Sequence, residues 1–295
     1  MSGNGIVGRP LPSVAAWLAD RRERFDAVVM DIDGVLVLGR RALPGSRELL
    51  EQLRAHGIPF SLLTNAANIS VEQRLRGLRE AGLSVGPGRI VSSGHALEGY
   101  VRDNRLAGRL FFLMGSLGAP GYAEAAGLRL TRNPGDPGRC DGVLLGEGRY
   151  DVQSAVDSAV SLLRLNPAAP LVCPNPDIFY PASDGSFQAG SGAVAALMEL
   201  VLRTCGCPSR ITYLGKPYAP IFRHNHRRLE RAAGRSLPRD RVLMLGDSLH
   251  GDIRGGADFG YRTALVLTGA TTVEALLGQA DGDGAVRPDH VFARL

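Results

Sequence analysis

The sequence predicts an α/β fold: a doubly wound parallel sheet that carries a second, inserted α/β domain. Short apolar runs alternate with amphipathic helical patterns along the chain, and Gly-rich or polar turns follow many of the runs. Short apolar runs of this kind are typical of buried parallel strands. Their alternation with helices is the arrangement from which doubly wound sheets are built. A chain of 295 residues can form one large domain or two ordinary ones.

The elements of the first domain lie on both sides of a long central segment. Its predicted strands are 27–30, 58–63, 211–214, 241–245 and 263–267. Its predicted helices are 45–56, 70–81, 191–204, 219–233 and 271–278.

The central segment has strands and helices of its own. Its predicted elements are helices at 94–103, 117–126 and 151–164, and strands at 109–114, 141–145 and 169–173. The segment is long enough to fold as a separate domain. We therefore predict a core domain of residues 1–93 and 189–295, interrupted by an inserted domain of residues 94–188.

Composition excludes several classes of protein. Hydrophobic residues make up 44% of the chain and charged residues 21%, as in water-soluble globular proteins. No apolar run reaches the roughly 18 residues that span a bilayer, and Met1–Pro10 lacks a signal-peptide pattern. The four cysteines show no paired metal-ligand spacing, and the role of the Cys205/Cys207 pair is left open. We expect a cytoplasmic protein with reduced thiols and no membrane partner.

The net charge of +5 does not by itself indicate nucleic acid. The densest basic run, Arg223–Arg228, continues to Arg231 and Arg235. It is interleaved with apolar residues at helical spacing: Ile221, Phe222, Leu229 and Ala232. This pattern is typical of a solvated helix face above an apolar stripe, so no nucleic-acid partner is expected.

Lys216 stands out among the basic residues. Arginine occupies all the other positions among the 34 Lys and Arg residues. Lysine is a compact point charge, whereas arginine is a broad planar fork. Lys216 follows the strand-like run 211–214, so we predict a functional role, with chance survival as the alternative.

The most informative stretch is Asp31-Ile32-Asp33-Gly34, which directly follows the apolar run 27–30. Ligands of open α/β sheets bind at the carboxyl edge, where these two aspartates are expected. Neighbouring carboxylates stay ionised together only if a cation lies between them, and otherwise one of them holds a proton. The motif predicts a metal-assisted attack by a carboxylate on phosphorus, with an ordinary Asp-Gly turn as the alternative.

Polar signals follow three further predicted strands. Thr64 and Asn65 follow the second strand, Lys216 follows the third, and Asp247 and Asp252 follow the fourth. If these strands are parallel in one sheet, the four signals meet at one edge. Together they supply a nucleophile, a proton carrier, a hydroxyl, a cation and further carboxylates, a set that fits phosphoryl transfer.

These motifs, in this order, resemble those of the haloacid dehalogenase superfamily of aspartate-nucleophile phosphatases. The long interval between the second and third motifs resembles the type-IIA branch, whose cap domain is inserted there. That branch includes p-nitrophenylphosphatase-like, phosphoglycolate, pyridoxal phosphate and nucleotide phosphatases. More of its pattern is visible in Asn175-Pro176-Asp177, Gly190-Ser191-Gly192-Ala193 and Thr263–Gly269. The resemblance implies a Rossmann-like core with an α/β cap domain.

The resemblance also implies catalytic and metal-binding roles. Asp31 would attack phosphorus, and Asp33 would protonate the leaving oxygen and then activate water. Mg²⁺, the expected cofactor, would be held by the Asp31 carboxylate, the Asp33 backbone carbonyl and Asp247. Asp252 would support the metal or Lys216 from behind.

Phosphate binding and specificity are assigned to other residues. Thr64, Asn65 and Lys216 would bind the phosphoryl group. Asp177, Phe179 and Tyr180, in a cap loop, are candidates for substrate specificity, although such aromatic residues as often serve packing.

The sequence departs from the branch's pattern in two places. His250 and Gly251 stand where an acidic residue and a threonine are common, and we interpret His250 as an exposed loop residue. The stretch 65–68 lacks the usual polar third position, which concerns contacts near the leaving group.

The function that follows is a Mg²⁺-dependent phosphomonoester hydrolase. Its expected partner is a small phosphorylated metabolite of the sugar phosphate, phosphoglycolate, nucleotide or pyridoxal phosphate class, and a homodimer is left open. The alternative is a regulatory protein that binds phosphate esters without significant turnover.

Overall fold

The computed structural model describes residues 13–21, 25–118, 121–133, 135, 137–181, 187–279 and 285–295. Their packing defines two compact units. The first comprises the described residues within 1–63, 75–90 and 225–295, and the second those within 64–74 and 91–224. These units do not coincide with the predicted core and insert, and the functional division at 93/94 and 188/189 stays a prediction.

Short strands occur along the whole length of the described residues. In chain order they are β1 Ala27–Met30, β2 Val37–Leu38, β3 Arg41–Ala42, β4 Phe60–Thr64, β5 Ile90–Ser92, β6 Leu110–Met114, β7 Arg129–Thr131, β8 Gly142–Leu145, β9 Leu171–Cys173, β10 Phe179–Pro181, β11 Phe187–Ala189, β12 Ile211–Tyr213, β13 Val242–Gly246, β14 Arg262–Val266 and β15 His290–Phe292.

The α-helices of the same residues separate most of these strands. They are α1 Val14–Arg21, α2 Ser46–Ala55, α3 Val71–Glu80, α4 Ala96–Asp103, α5 Tyr122–Ala125, α6 Val152–Leu165, α7 Ser191–Thr204, α8 Ala219–Ala233, α9 Gly255–Phe259 and α10 Val273–Leu277.

A parallel sheet places the first and last motifs on the same edge. Among the described residues its strand order is β15–β14–β13–β1–β4–β5. β1 is fully buried and pairs in parallel with β13, with Met30 opposite Leu245. Because these two central strands end at the same level, the residues that follow them leave the sheet together. The predicted α/β class with a parallel sheet is confirmed.

A second parallel sheet lies within the second unit, in the order β12–β9–β8–β6–β7. Its apolar core includes Leu162 and Leu163 of α6 and Met198 and Leu202 of α7. β12, which precedes Lys216, pairs with β9 in this sheet. The expectation that β12 shares a sheet with β1 and β13 is therefore wrong. Residue patterns identify a strand, but they do not specify which neighbour it pairs with.

Most helix bounds follow the amphipathic patterns closely. The exception is α5, which was predicted at 117–126 but comprises only Tyr122–Ala125, since Gly118 has a φ of +65°, outside the helical region. α7 and α8 begin and end at the predicted residues. In α8, Ile221 and Phe222 are buried while Arg223 and Arg227 are exposed, so the basic run is a solvated helix face, as its pattern indicates. None of the helices in the described part of the chain is long and apolar enough to cross a bilayer. The four cysteines are free thiols.

Candidate active site

The turn after β1 carries Asp31 and Asp33. The Asp31 N–H donates to the carbonyl of Leu245 at 2.9 Å, which fixes it at the edge of the sheet. Gly34 turns the chain with φ +86°, a conformation that residues with a side chain rarely adopt, and its N–H donates to the carbonyl of Val37. The Asp31 side chain is partly buried, whereas the Asp33 side chain is exposed.

Three carboxylates converge in the first unit. One oxygen each of Asp31, Asp247 and Asp252 lies within 4.8 Å of the other two. Asp247 and Asp252 are 4% and 0% exposed. Like charges this close in a poorly hydrated place repel unless a proton or a cation is shared between them.

The backbone around Asp247 is shaped to receive that side chain. A Cβ added to Gly34 or Gly269 would lie 2.2 or 1.9 Å from Asp247 Oδ2, so only glycine leaves room there. The same oxygen accepts the N–H of Ala270 at 2.5 Å. The Asp247 carboxylate is therefore held in one orientation by its surroundings.

Asp252 is held in a different way. Its Oδ2 accepts the N–H groups of Asp247 and Ser248, at 3.2 and 3.1 Å. It lies in a π-helical turn, Leu249–Arg254, which places its carboxylate against the end of β13. An all-oxygen set of carboxylates is the chemistry that hard divalent cations such as Mg²⁺ prefer, so these residues fit that metal.

The predicted metal set and the observed cluster overlap without being identical. Asp31 and Asp247 belong to both. Within the described residues, the cluster contains the Asp252 carboxylate and not that of Asp33. The Asp33 backbone carbonyl as a ligand stays a prediction, as does the supporting role of Asp252.

A second group of candidate residues is assembled within the second unit around Asn65. Its Nδ2 donates to Asp177 Oδ1 at 2.8 Å and to the carbonyl of Lys216 at 2.9 Å. Its Oδ1 accepts the Lys216 N–H at 2.7 Å. Asn65 therefore fixes the backbone at Lys216, whose side chain is 4% exposed. Thr64, the last residue of β4, accepts the Ala66 N–H on its hydroxyl.

Comparisons with known proteins decide the family. Residues 28–129 match the family described as haloacid dehalogenase-like hydrolase, and residues 213–295 match the HAD-hydrolase-like family. Mouse (Mus musculus) chronophin is 32% identical over 268 residues, which cover 88% of this chain and 86% of chronophin. The chain belongs to the haloacid dehalogenase-like hydrolases. Within them it is a type-IIA phosphatase, as the motifs predicted.

Solved structures agree with this assignment. A 4-nitrophenylphosphatase from Thermotoga maritima aligns with a TM-score of 0.76 at 27% identity, covering 92% of this chain and 95% of that one. A glycerol phosphate phosphatase from Mycobacterium tuberculosis in complex with magnesium aligns with a TM-score of 0.75 at 23% identity, covering 92% and 76%. The chain thus has the fold of this family of phosphatases.

The loop that carries Asp177 is fixed in this phosphatase by glycines. Cβ atoms added to Gly190 and Gly192 would lie 2.1 and 2.0 Å from the carbonyl oxygens of Asp177 and Pro176. The N–H groups of both glycines donate to this loop, to the carbonyls of Ile178 and Asp177. The Gly-x-Gly pattern therefore serves close packing under the loop.

The two aromatic candidates of the same loop lie in the β10–β11 hairpin. Phe179 is 59% exposed. The Tyr180 hydroxyl bonds Gln188 across the hairpin at 3.0 Å. Phe179 thus offers an apolar surface, while Tyr180 stabilises the hairpin. Their roles in specificity stay predictions.

His250 is exposed within the π-helical turn, in agreement with its interpretation as a solvent-facing residue.

Sequence reasoning missed Glu147, a 6% exposed carboxyl in the second unit. Burial raises its pKa to about 7, with Asp177 adding to the rise, while the Ala67 N–H and Asn175 oppose it. A lone glutamate between two glycines, directly after an apolar strand, was the available signal.

Proposed function

We propose that this phosphatase hydrolyses phosphomonoesters with the help of Mg²⁺ and through an aspartyl-phosphate on Asp31. The observation that carries the proposal is the convergence of Asp31, Asp247 and Asp252 at the carboxyl edge of the first sheet. Converging carboxylates next to a turn glycine suit a metal-assisted attack on phosphorus better than they suit binding alone.

The first half of the reaction transfers the phosphoryl group to the protein. A carboxylate oxygen of Asp31 forms a bond to phosphorus, and the bond from phosphorus to the ester oxygen breaks. Asp33 gives its proton to that leaving oxygen, which departs as an alcohol. The exposure of Asp33 suits this role, because a proton carrier must exchange protons with water in each cycle.

The second half regenerates the carboxylate. Asp33, now ionised, accepts a proton from a water molecule whose oxygen attacks phosphorus. The bond between phosphorus and Asp31 breaks, and inorganic phosphate leaves. One residue therefore acts first as an acid and then as a base, and the protons balance over the cycle.

Other residues would bind the phosphoryl group and the metal ion. Thr64 and the ammonium of Lys216 would bind the phosphoryl oxygens, with Asn65 fixing the backbone at Lys216. Asp31, Asp247 and the Asp33 carbonyl would hold Mg²⁺. Asp252 would support Asp247 by accepting the Asp247 backbone N–H. When bound, the metal supplies positive charge that offsets the charge of the phosphoryl oxygens and of the aspartates.

The proposed substrate is a small phosphorylated metabolite. Two of the chain's relatives support it: one is named a dihydroxyacetone phosphatase, from Corynebacterium glutamicum, and the other an acid sugar phosphatase, from Staphylococcus aureus. Asp177, Phe179 and Tyr180 are proposed to contribute to the choice of substrate, with Phe179 offering an apolar surface to the leaving group.

The experiment that tests this function is phosphate release from p-nitrophenyl phosphate and a panel of sugar, glycolate, nucleotide and pyridoxal phosphates. We expect release that requires magnesium, stops with EDTA and is lost in Asp31→Asn. If well-folded, magnesium-loaded protein releases no phosphate from any ester yet binds one of them, the non-hydrolytic regulatory protein replaces our proposal.

A further inference from the structure

Glu147 is a buried carboxyl that the proposed reaction does not use. It lies just beyond β8, and its side chain is 6% exposed. Its backbone is fixed on both sides, because Glu147 N–H donates to the Ser116 carbonyl and Ser116 N–H donates to the Glu147 carbonyl, each at 2.9 Å. The backbone from which this side chain extends is therefore held in place.

The Glu147 carboxylate bonds the loop that follows β4. Its Oε1 accepts the N–H of Ala67 at 2.6 Å, a short hydrogen bond inside the second unit. Two residues earlier in the same loop, the Asn65 carbonyl accepts the hydroxyl of Ser93 at 2.6 Å. The loop is thus held at Asn65 from one side and at Ala67 by Glu147.

The position of this loop determines the position of the Lys216 backbone, because Asn65 connects the two by hydrogen bonds. The Asn65 amide engages both the N–H and the carbonyl of Lys216 and also one carboxylate oxygen of Asp177. A shift at Ala67 therefore displaces the residue that sets the backbone at Lys216. Such small displacements of charge-holding groups are costly, since about 1 Å of misplacement can lower a rate about a hundredfold.

We propose that Glu147 is a positioning residue of this phosphatase: by accepting the Ala67 N–H it fixes the loop 64–67 and, through Asn65, the backbone at Lys216. The inference rests on the proposed function, because Lys216 holds the phosphoryl group there. Glu147 acts through other residues and touches no reacting atom.

The charge of Glu147 makes this positioning dependent on pH. Burial raises its pKa to about 7, and Asp177 raises it further, whereas the Ala67 N–H, Asn175 and Arg74 lower it. Two neutral acids are close enough to be affected by its charge: burial, and the Glu147 charge with it, raises the pKa of the Cys173 thiol and of the Tyr122 hydroxyl. An ionised acceptor binds an N–H more strongly than a neutral one, so the loop is held best above neutral pH.

Two variants separate the hydrogen bond from the charge. Glu147→Gln keeps an oxygen acceptor for Ala67 but cannot titrate, and Glu147→Leu removes the acceptor at similar volume. Glu199→Gln is the matched control, because Glu199 is an exposed carboxylate of the same unit that bonds Tyr213 instead. Each variant is assayed with p-nitrophenyl phosphate from about pH 5.5 to about pH 9, and its amide hydrogen exchange over residues 64–70 is measured by mass spectrometry.

We expect Glu147→Leu to lower kcat by about tenfold to a hundredfold, more than it raises KM, and to speed exchange in 64–70. Glu147→Gln should lose the part of the wild-type pH profile that titrates near pH 7, while Glu199→Gln follows the wild type. If Glu147→Leu does not fold, the Glu147→Gln profile decides alone.

Two results would overturn the inference. One is unchanged kcat and exchange in Glu147→Leu, and the other is a Glu147→Gln pH profile that superimposes on the wild type. Failure of the proposed function looks different, because the wild type would then release no phosphate. Hydrogen exchange in 64–70 would still report whether Glu147 holds the loop.

Discussion

Asp252 and Glu147 are both buried carboxyls next to a strand end, but the two regions accommodate them differently. Asp252 accepts two backbone N–H groups and stands beside Asp31 and Asp247. Glu147 accepts one backbone N–H at 2.6 Å, and its pKa is raised to about 7. In the first region carboxylates are gathered where a cation can neutralise them. In the second, burial raises the pKa of one carboxyl more than the Ala67 N–H, Asn175 and Arg74 lower it.

The difference indicates a different function for each region. Gathering like charges destabilises a folded protein unless a ligand offsets the repulsion, so the Asp31 region is best explained by chemistry on a bound metal and phosphate. A buried carboxyl that accepts a loop N–H is better explained by positioning, and the strength of that hydrogen bond depends on pH. The comparison can be tested from both sides.

The largest expected effect comes from the nucleophile. Asp31→Asn should lower kcat by at least about 10⁴-fold, because an amide cannot form the covalent intermediate. Steady-state phosphate release measures this, with circular dichroism to check folding. Asp258→Asn, on an exposed residue paired with Arg254, serves as the control and should keep wild-type activity. Comparable losses in the two variants would contradict a special role for Asp31.

The second prediction concerns stability at Glu147. Its pKa is raised from 4.5 to about 7 on folding, so the wild type loses stability as pH rises between these values. Glu147→Gln removes this loss and should raise the free energy of unfolding by about 2–3 kcal/mol at about pH 8, relative to its effect at about pH 4.

Urea unfolding at both pH values measures the difference, with Glu199→Gln as the control. The same stability difference between variant and wild type at both pH values would show that Glu147 is not buried as a titrating acid. Glu147 would then not differ from Asp252 in the way described above.

A smaller effect is expected from the glycine that receives Asp247. In Gly34→Ala the new Cβ would lie 2.2 Å from Asp247 Oδ2 at a φ of +86°, so the carboxylate must move. We expect kcat/KM to fall about a hundredfold. Gly57→Ala has a similar φ of +64° with nothing within 4 Å, so it carries the backbone strain without the collision. Equal kinetic losses in both variants would assign the effect to strain.

The smallest effect is expected from Asp252. Asp252→Asn keeps an oxygen for the N–H groups of Asp247 and Ser248 but removes a negative charge from the cluster. The apparent magnesium affinity should fall by about tenfold, while kcat at saturating magnesium changes little. Titration of activity with magnesium gives both quantities. A large drop in kcat that excess magnesium does not restore would instead place Asp252 in the chemistry.

The sequence predicted the elements and the acidic site because both have local signatures. The run 27–30 followed by two aspartates and Gly34 identified a strand end with a turn, and β1 ends at Met30. Helices α7 and α8 were located by periodicity alone. The proximity of Asp31, Asp247 and Asp252 could be predicted because parallel strands present their carboxyl ends at one edge of the sheet.

What the sequence could not predict depends on pairing over distance. β12 has the same pattern whichever strand it pairs with, and only tertiary packing selects β9. Glu147 carries no motif, and its importance arises from a bond to Ala67, a residue 80 positions away in the chain. α1 was not predicted, although Val14 and Leu18 bury one face of it.

The central claim is that Asp31 forms a covalent bond to phosphorus. Asp33→Asn should slow hydrolysis of the intermediate, so rapid acid quenching of this variant after mixing with magnesium and p-nitrophenyl phosphate should trap it. Mass spectrometry of the peptides is expected to find a phosphoryl group on Asp31 and none in the Asp31→Asn, Asp33→Asn double variant. Turnover by wild type with no phosphoryl peptide, or with the label on another residue, would contradict the account.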